Sequence, residues 1–257
     1  MLPIARKNKI KEIILEKKSV TVAELTELFN VTEETIRRDL KQLEDEGILN
    51  RTYGGAYLSE TVQYDVDVNL REHIHIEGKR RIARKSLEYI KNGDSIFLDA
   101  STTSLAIASM LTNQKITVVT NSIKIVKALL DKKNIQIVVI GGLLSHSSLS
   151  NLGRNAEENM TKYFFDTAFI SSSSISMENG MTDTNEQQAT IRHIAATRAN
   201  KVHLIVDHTK FDKTSFVKIG DLSMIDNVIV DEALSEEWRE FFKENNITFD
   251  ECSSNSI

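Results

Sequence analysis

The stretch VTEETIRRDLKQLEDEGILNRTYGGA, residues 31–56, predicts an amphipathic helix that leads into a β-hairpin. Ile36, Leu40 and Leu43 recur at the i, i+4, i+7 spacing that places apolar side chains on one face of a helix. Thr32 is a favourable N-cap, because its hydroxyl can accept a hydrogen bond from a free backbone N–H of the first turn. The helix is therefore expected to bury one stripe and to present its polar residues outward.

The residues around this helix predict a compact three-helix unit with a wing. Isoleucines at helical spacing predict a first helix over about residues 4–18. Thr21 and Glu24 have the spacing of a capping box and predict a second helix, which a short turn joins to the third. Two strands are expected after the third helix, at residues 48–52 and 56–58, joined around a glycine pair. This order is typical of a helix–turn–helix followed by a hairpin wing.

The outer face of the third helix and the wing carry the residue types that nucleic acids require. Arg and Lys donate hydrogen bonds to base edges and to phosphates, so a helix that enters the major groove needs them on its exposed side. The alternative is a solvated helix face, but an arginine pair on the third helix of a winged unit favours DNA binding. The candidate DNA-contact residues are Thr35, Arg37, Arg38 and Lys41 on the helix, and Arg51, Tyr53, Gly54 and Gly55 in the wing.

The stretch LFNVTEETIRRDLKQLEDEGILNRTYGGA resembles the N-terminal signature of the DeoR family of bacterial transcriptional regulators. The likeness lies in the short turn, the run Thr-Ile-Arg-Arg-Asp-Leu, and the Gly, Arg and Gly-Gly that follow. The resemblance implies that the third helix and the wing contact operator DNA. Asp39 lies inside this run and is expected to be structural, because a carboxylate that faced phosphate would be repelled.

Residues 59–77 are polar and without a strong pattern, and they are interpreted as a linker between a domain at 1–58 and a domain at 78–257. His73 and His75 could suggest a pair of metal ligands. No third ligand lies nearby in the sequence, so we expect two exposed linker histidines and no metal site.

From residue 78 onward, short apolar runs alternate with helical stretches. Such alternation predicts a mostly parallel sheet with helices on both faces, an α/β domain. Strands are expected at residues 95–99, 116–120, 135–142, 165–171, 201–207 and 228–231. Helices are expected at about residues 79–91, 103–111, 122–131, 155–162, 184–199 and 235–245.

Ligands of such sheets bind outside the carboxyl ends of the strands, and the residues expected there are polar. Hydroxyls and free N–H groups at a helix N-terminus suit a phosphate, and a lysine on a neighbouring loop adds positive charge. Short polar side chains could orient sugar hydroxyls. The candidate effector residues are Asp99, Ser101, Thr102, Thr103, Asn121, Gly141, Gly142 and Lys210. Each also has a plain reading: a helix cap, a turn or a solvated charge.

The resemblance to the DeoR family continues through this domain. LDASTTS is similar to the family's Asp-x-Gly-Thr-Thr loop, VVTNS to its Thr-Asn stretch, VVIGG to its Gly-Gly, and VDHTKFDK to its Asp-x-Ser/Thr-Lys loop. The resemblance implies a fold related to phosphosugar isomerases and coenzyme A transferases, and a phosphorylated sugar as effector. Ser101 stands where the family usually has glycine. SSSSIS, residues 171–176, replaces a stretch that commonly contains glycine, and both departures add side chains near the expected pocket.

Composition and motifs limit the remaining possibilities. The 257 residues carry a net charge of −5, so DNA binding must rest on local placement of positive charge. No apolar run approaches the roughly 20 residues of a membrane span, and Cys252 has no second cysteine for a disulfide. We therefore expect a cytoplasmic protein without a cofactor, whose partners are operator DNA, a phosphorylated sugar and further copies of itself, as a dimer or tetramer.

The rival interpretation is a phosphosugar isomerase-like enzyme with an accessory DNA-binding module. Such chemistry needs a general base, which Asp99 or Asp207 could supply. The sequence contains no Walker loop, no Gly-x-Ser-x-Gly and no His/Cys metal set, so a sensor that is not an enzyme is expected. Repression is the common mode of the family, and the sequence leaves activation, the identity of the sugar and the operator open.

Overall fold

The computed structural model describes residues 2–58 and 68–253. It divides into two compact units, Met1–His75 and Ile76–Ile257. The described residues contain no helix that is both long enough and apolar enough to span a bilayer.

The first unit is a winged helix-turn-helix. Its elements are α1 (Pro3–Lys17), β1 (Ser19–Thr21), α2 (Val22–Phe29), α3 (Glu33–Asp45), β2 (Leu49–Arg51), β3 (Gly55–Leu58) and α4 (Val68–Glu72). The three strands form an antiparallel sheet in the order β1-β3-β2. Thr21 and Glu24 form the predicted capping box of α2, and the Thr32 hydroxyl caps α3 by accepting a hydrogen bond from the N–H of Thr35.

The core of this unit confirms the predicted buried stripe. Ile36, Leu40 and Leu43 of α3 are buried together with Ile10 and Ile14 of α1. Their one charged neighbour on the inner side of α3 needs a partner, since an unpaired buried charge is costly.

Asp39 is buried and structural, as expected. Its Oδ2 accepts a hydrogen bond from Nε of Arg6, which is also buried, at 2.6 Å. The pair joins α1 to α3, so removing either partner would leave the other charge buried and unpaired.

Part of the predicted linker is helical. Helix α4 occupies residues 68–72, and the following helix already begins at Ile76. Ile74 is buried in the core of the first unit, and the backbone N–H of His75 donates to Glu12 at 2.7 Å. His73 is exposed, as expected, and His75 is half-buried. The predicted linker is therefore too long at its C-terminal end, and its residues 59–67 lie outside the described part of the chain.

The second unit is built on a seven-stranded sheet in the order β15-β14-β12-β9-β4-β5-β6, in which every pair is parallel. Its strands are β4 (Ser95–Leu98), β5 (Ile116–Thr120), β6 (Ile135–Val139), β9 (Phe165–Ile170), β12 (Ala199–Val206), β14 (Asn227–Val230) and β15 (Thr248–Glu251). Its helices are α5 (Ile76–Ser86), α6 (Thr102–Met110), α7 (Ile123–Leu129), α8 (Arg154–Met160), α9 (Glu186–Thr197) and α10 (Glu236–Glu244). Single 3₁₀ turns lie at Leu87–Tyr89, His208–Lys210 and Leu222–Met224.

Helices cover both faces of this sheet, which confirms the predicted α/β architecture. Successive strand residues alternate between faces, so Ile96 and Leu98 of β4 join one core cluster and Phe97 joins the other. The first cluster includes residues of α5, α6 and α7, and the second includes residues of α8, α9 and α10.

Two small antiparallel sheets were not predicted. One is the hairpin of β7 (Leu143–Ser145) and β8 (Ser150–Leu152). The other has the order β10-β11-β13 and consists of β10 (Ser174–Ser176), β11 (Gly180–Asp183) and β13 (Val217–Gly220). Their strands have three or four residues, too few for a clear period of two in the sequence.

Candidate DNA-reading surface and effector site

The exposed side of α3 carries the predicted positive charge. Arg37, Arg38 and Lys41 are exposed, and Thr35 is half-buried beside the cap with its hydroxyl 3.0 Å from that of Thr32. The helix therefore separates an apolar inner face from a basic outer face, as its spacing predicted.

The two adjacent arginines differ in their contacts. Nη2 of Arg37 donates to Oε2 of Glu33 at 2.9 Å, and its Nη1 donates to the backbone carbonyl of Tyr53 at 3.2 Å. Arg37 thus ties α3 to the tip of the wing. Within the described residues, the side chains of Arg38 and Lys41 have no hydrogen bond or ion pair, so their charges remain available to a ligand.

Arg51 is held at the base of the wing by a glutamate that sequence reasoning missed. Its backbone N–H donates to Oε1 of Glu44 at 2.9 Å, and its Nε donates to Oε2 at 2.7 Å. These hydrogen bonds hold the pKa of the Glu44 carboxyl below its ordinary value. The contact joins Arg51 to Glu44 of α3. A phosphate that binds Arg51 would therefore contact a guanidinium that is already paired with a carboxylate.

The wing tip explains the glycine pair differently from the predicted sharp turn. Tyr53 is 98 % exposed, and Gly54 is exposed with open space where a Cβ would lie. Gly55 is buried, and a Cβ there would lie 2.1 Å from the backbone oxygen of Val20 in β1. Neither glycine has a positive φ. The close approach of β1 therefore requires glycine at position 55, while Gly54 lies at the exposed tip of the wing.

The predicted effector residues lie at one edge of the large sheet. Strands β12, β9, β4, β5 and β6 are consecutive neighbours and parallel, so their carboxyl ends point the same way. The loops that leave these ends carry the predicted polar residues. Such an edge is where open α/β sheets bind their ligands.

Asp99, at the end of β4, is the centre of a buried hydrogen-bond network. Its Oδ1 accepts from the hydroxyl of Ser104 at 2.6 Å and from the N–H of Ser101 at 3.2 Å. Its Oδ2 accepts from the N–H and the hydroxyl of Ser171, at 2.9 and 2.7 Å, and from Nε of Arg192 at 2.7 Å. Burial opposes the charge on Asp99, but the Arg192 guanidinium and these donors outweigh it and lower the pKa of the carboxyl.

Arg192 is the main residue that sequence reasoning missed. It lies on α9, is buried, and also contacts Oδ2 of Asp183 and the side chain of Gln188. An arginine inside a predicted amphipathic helix has no sequence signal that separates it from a solvated one. Since both oxygens of Asp99 are occupied, the expectation that Asp99 orients sugar hydroxyls is replaced by a role in holding the β4–α6 loop.

The N-terminus of α6 retains free donors. Ser101 is its N-cap and accepts a hydrogen bond from the N–H of Ser104 at 3.0 Å, with an ordinary negative φ of −97°. The serine at this usual glycine position therefore fits without strain. Within the described residues, the backbone N–H groups and the hydroxyls of Thr102 and Thr103 make no hydrogen bond. These are the groups that a phosphate at a helix N-terminus would accept from.

Asn121 follows β5, is buried, and has a side-chain amide of which only the nitrogen is hydrogen-bonded within the described residues. Its Nδ2 donates to the backbone carbonyl of Asn151 at 3.1 Å, while its Oδ1 is buried without a hydrogen-bond partner among the described residues. Ser122 beside it caps α7. Asn121 thus offers one acceptor at the carboxyl edge of the sheet.

The glycine pair after β6 has a packing role. A Cβ on Gly142 would lie 2.6 Å from the backbone oxygen of Leu152 in β8. Gly141 is exposed, with open space where a Cβ would lie. The close approach of the β7–β8 hairpin therefore explains Gly142. For this glycine pair, the structure favours a packing role over contact with an effector.

The loop after β12 brings Lys210 to the same edge. Lys210 closes the 3₁₀ turn that Asp207 caps, and its backbone N–H donates to the carbonyl of Asp207 at 3.1 Å. The residue is half-buried, and its side-chain ammonium makes no hydrogen bond or ion pair with the described residues. The ring of the neighbouring His208 lies 3.2 Å from the carboxylate of Asp231, a contact that raises the pKa of the histidine. His208, Asp231 and Glu232 form the described cluster with donor atoms close enough for a metal, within 4.8 Å. The His208–Asp231 hydrogen bonds account for that arrangement without one.

A winged helix-turn-helix and an α/β unit with polar strand ends, in one chain, define a DNA-binding transcription regulator. Comparison with protein families identifies the chain further. The family described as "DeoR-like helix-turn-helix domain" matches residues 6–62, and "DeoR C terminal sensor domain" matches residues 74–232. The protein belongs to the DeoR family of transcriptional regulators.

Curated relatives match over most of their length. The "Uncharacterized HTH-type transcriptional regulator YulB" of Bacillus subtilis (strain 168) is 38 % identical over 91 % of each chain. The "L-fucose operon activator" of Haemophilus influenzae is 32 % identical over 88 % of this chain and 91 % of its own. The "Putative aga operon transcriptional repressor" of Escherichia coli O157:H7 is 31 % identical over 89 % of this chain and 86 % of its own.

Solved structures are more distant. Ribose 5-phosphate isomerase A from Methanocaldococcus jannaschii is 16 % identical, with a TM-score of 0.39 over 52 % of this chain and 53 % of that chain. The likeness thus spans about half of each chain.

Proposed function

We propose that this regulator represses an operon of carbohydrate metabolism and that a phosphorylated sugar lowers its affinity for the operator. The observation that carries the proposal is the carboxyl edge of the large sheet, where α6 offers unpaired N–H groups beside polar residues from neighbouring strands. The same chain carries a recognition helix with free positive charges. A ligand-binding edge and a DNA-reading helix in one chain favour regulation by a small molecule.

The DNA-binding part of the proposal rests on the third helix and the wing. Arg38 and Lys41 reach base edges or phosphates from the exposed face of α3, with Thr35 on its flank. Arg37 positions the wing through its hydrogen bond to the carbonyl of Tyr53. Arg51, Tyr53, Gly54 and Gly55 then place the wing against the sugar–phosphate backbone.

The effector part assigns separate roles to the polar strand ends. The phosphate accepts hydrogen bonds from the N-terminus of α6, at Thr102 and Thr103, and Lys210 adds a compact positive charge. Asn121 accepts a hydrogen bond from a sugar hydroxyl. Asp99, Ser101 and Gly142 hold the loops that form the site, as their hydrogen bonds and packing support, and Gly141 lies exposed beside Gly142.

The two activities are linked by thermodynamic coupling. A homo-oligomer, a dimer or tetramer, places several winged units on repeated half-sites, and the effector favours a state that fits their spacing less well. Such coupling is typically about 1–3 kcal/mol. In this proposal, the predicted linker, residues 59–77, transmits the coupling between the effector site and the winged unit. A regulator of this kind acts where the chromosome lies, in the cytoplasm.

Neither Asp99 nor Asp207, the two candidate bases of the enzyme alternative, has a carboxylate that suits general base catalysis. A general base works best when its pKa lies near the working pH, yet the pKa of Asp99 is lowered and its oxygens are occupied. Asp207 accepts hydrogen bonds from the backbone and the hydroxyl of Thr209. These contacts favour a sensor over an isomerase.

Thermal unfolding of the full-length protein against phosphosugars, each paired with its free sugar, tests the proposal. A ligand at about one hundred times its Kd stabilises by roughly 2.7 kcal/mol, which shifts the midpoint measurably. We expect one phosphosugar, and not its free sugar, to raise the midpoint and to release operator DNA. No shift with any phosphosugar would remove the sugar-phosphate effector and leave the DNA-binding function. Conversion of the compound over hours would instead support the enzyme.

Lys210→Ala provides the matching variant. It should bind operator DNA as the wild type does and require a higher concentration of the phosphosugar for release, because it lacks a charge at the effector site. Lys218→Ala is the control, since Lys218 is exposed and its ammonium is paired with Asp221. Wild-type effector affinity in the Lys210 variant would exclude Lys210 from the site.

A further inference from the structure

Ser172 has a buried hydroxyl that the fold leaves unused. It is the second residue after β9, is 6 % exposed, and its Oγ has no hydrogen-bond partner among the described residues. Its neighbours differ. Ser171 bonds to Asp99, Ser173 donates to Asp183 at 3.1 Å, and Ser174 lies 2.8 Å from the hydroxyl of Ser215.

Burying a hydroxyl without a partner destabilises a protein, because the group loses its hydrogen bonds to water. Alanine would fill the same space at position 172 without that loss. A buried polar group without a protein partner calls for an explanation, such as a bound water, an ion or a ligand. A bound ligand that hydrogen-bonds to the Ser172 hydroxyl is such an explanation.

The position of Ser172 identifies that ligand as the effector. Strand β4, which leads into the N-terminus of α6, lies between β9 and β5. Ser172 therefore lies on one side of this loop, and Asn121, with its own unpartnered buried Oδ1, lies on the other. Two strand spacings of about 4.8 Å separate β9 from β5, a distance that a single sugar phosphate can bridge.

The chemistry of the two groups defines what they recognise. Nδ2 of Asn121 is committed to the carbonyl of Asn151, so its Oδ1 can only accept a hydrogen bond. The oxygens of a phosphate monoester dianion, the main form at pH 7, cannot donate one, whereas a sugar hydroxyl can. The Ser172 hydroxyl can donate or accept after rotation about a single bond.

We propose that Ser172 is an effector-contact residue that, with Asn121, reads hydroxyl groups of the sugar on either side of a phosphate bound at the N-terminus of α6. This inference rests on the proposed effector function. It assigns recognition of the sugar to the two buried oxygens and recognition of the anion to α6 and Lys210. The serine run is then a determinant of which sugar is bound.

Ser172→Ala in the full-length protein tests the assignment. The probes are inorganic phosphate and a panel of five- and six-carbon aldose and ketose phosphates, titrated calorimetrically. We expect the variant to bind the phosphosugar that the wild type binds at least tenfold more weakly and to bind inorganic phosphate within twofold of the wild type. Its thermal midpoint without ligand should equal or exceed that of the wild type.

Ser171→Ala is the matched control, because its hydroxyl donates to Asp99 and its loss should lower the thermal midpoint. A fall of the midpoint in Ser172→Ala like that in the control would show a structural serine and overturn the inference. Unchanged phosphosugar affinity would do the same and leave a bound water as the partner of Ser172. Failure of the wild type to bind any phosphosugar would instead refute the proposed function, and this inference with it.

Discussion

Arg37 and Arg38 are adjacent in sequence but have different environments. The guanidinium of Arg37 is bonded to Glu33 and to the wing, whereas Arg38 is exposed and makes no hydrogen bond or ion pair with the described part of the chain. A side chain without a protein partner loses little when it binds DNA. We therefore expect Arg38 to contribute more directly to operator affinity, and Arg37 to act by holding the wing.

Arg38→Ala should weaken operator binding by about 1–3 kcal/mol, the usual contribution of an arginine that reads a base pair. Fluorescence anisotropy with an operator fragment at fixed salt measures the effect. Arg80→Ala is the control, because Arg80 is exposed on α5 and paired with Glu77. If Arg38→Ala binds the operator as the wild type does, α3 does not use this face for recognition.

Asp99 shows why the role of a single side chain is hard to predict from the sequence. Its place after β4 is visible in the sequence, and so is its polar character. Its partner Arg192 lies 93 residues away, so nothing local indicates that the carboxylate is already occupied. The position was predictable and the role was not.

The wing is an element whose third strand was missed. Strand β1 has three residues and leads directly into the cap of α2, so helix signals dominate its sequence. Its pairing with β3 brings the Val20 carbonyl against Gly55. The wing is therefore a three-stranded sheet anchored to the helices, and its geometry depends on that glycine.

Gly55→Ala should destabilise the first unit by about 1–3 kcal/mol, because a Cβ 2.1 Å from the Val20 oxygen forces the strands apart. Gly54→Ala is the matched control and should change stability by less than about 0.5 kcal/mol, as no atom lies within 4 Å of its Cβ. Urea unfolding followed by circular dichroism measures both. Equal stability of the two variants would contradict the close packing of β1 on β3.

Strand β12 contains a buried histidine, His203, that makes the free energy of unfolding depend on pH. His203 stacks on Phe169 at a ring distance of 5.1 Å, and burial lowers its pKa to about 4. In the unfolded chain its pKa is near 6.5, so between pH 6.5 and 4 the unfolded state binds more protons. Stability from His203 is therefore present above pH 6.5 and is lost as pH falls toward 4.

The loss should amount to about 3 kcal/mol of unfolding free energy over that window, at about 1.36 kcal/mol for each pH unit of difference. His203→Phe keeps an aromatic ring and should remove this slope, as measured by urea unfolding at a series of pH values. His208 does not obscure the test below about pH 5.5: its pKa is raised, so there it is almost fully protonated in both the folded and the unfolded state and adds little slope. An equal acid sensitivity of both proteins would show that His203 is solvated.

At the scale of the whole molecule, the proposed regulation has a strict thermodynamic consequence. If a phosphosugar lowers operator affinity by some factor, operator DNA must lower phosphosugar affinity by the same factor. Typical couplings correspond to roughly 5- to 150-fold. Calorimetric titration of the phosphosugar with and without operator DNA measures the second factor, and anisotropy measures the first.

Random duplex DNA of equal length is the control, because it should not favour the operator-binding state. Agreement of the two factors supports coupling between the sensor and the DNA-binding unit. Operator release without any change of phosphosugar affinity would contradict it. The Lys210→Ala variant should shift the effector titration and leave the operator affinity in place.

The main helices, six of the seven strands of the large sheet and the position of the polar strand ends were predicted from the sequence alone. Caps such as Thr21 and Thr32, and periods of 3.6 and 2, act within a few residues, so local patterns carry them. The parallel order of the sheet follows from the alternation of strands and helices, which also brings five polar loops to one edge.

Only the tertiary structure decided which of those polar groups are free. The engagement of Asp99 by Arg192, the contact of Gly55 with β1 and the unused oxygens of Asn121 and Ser172 depend on residues far apart in the chain. Hydrogen bonding and close packing are satisfied between elements, and a sequence shows a donor without showing its acceptor. The sheet edge that carries the candidate site could therefore be predicted from the sequence, whereas the folded chain was needed to separate side chains with protein partners from side chains without one.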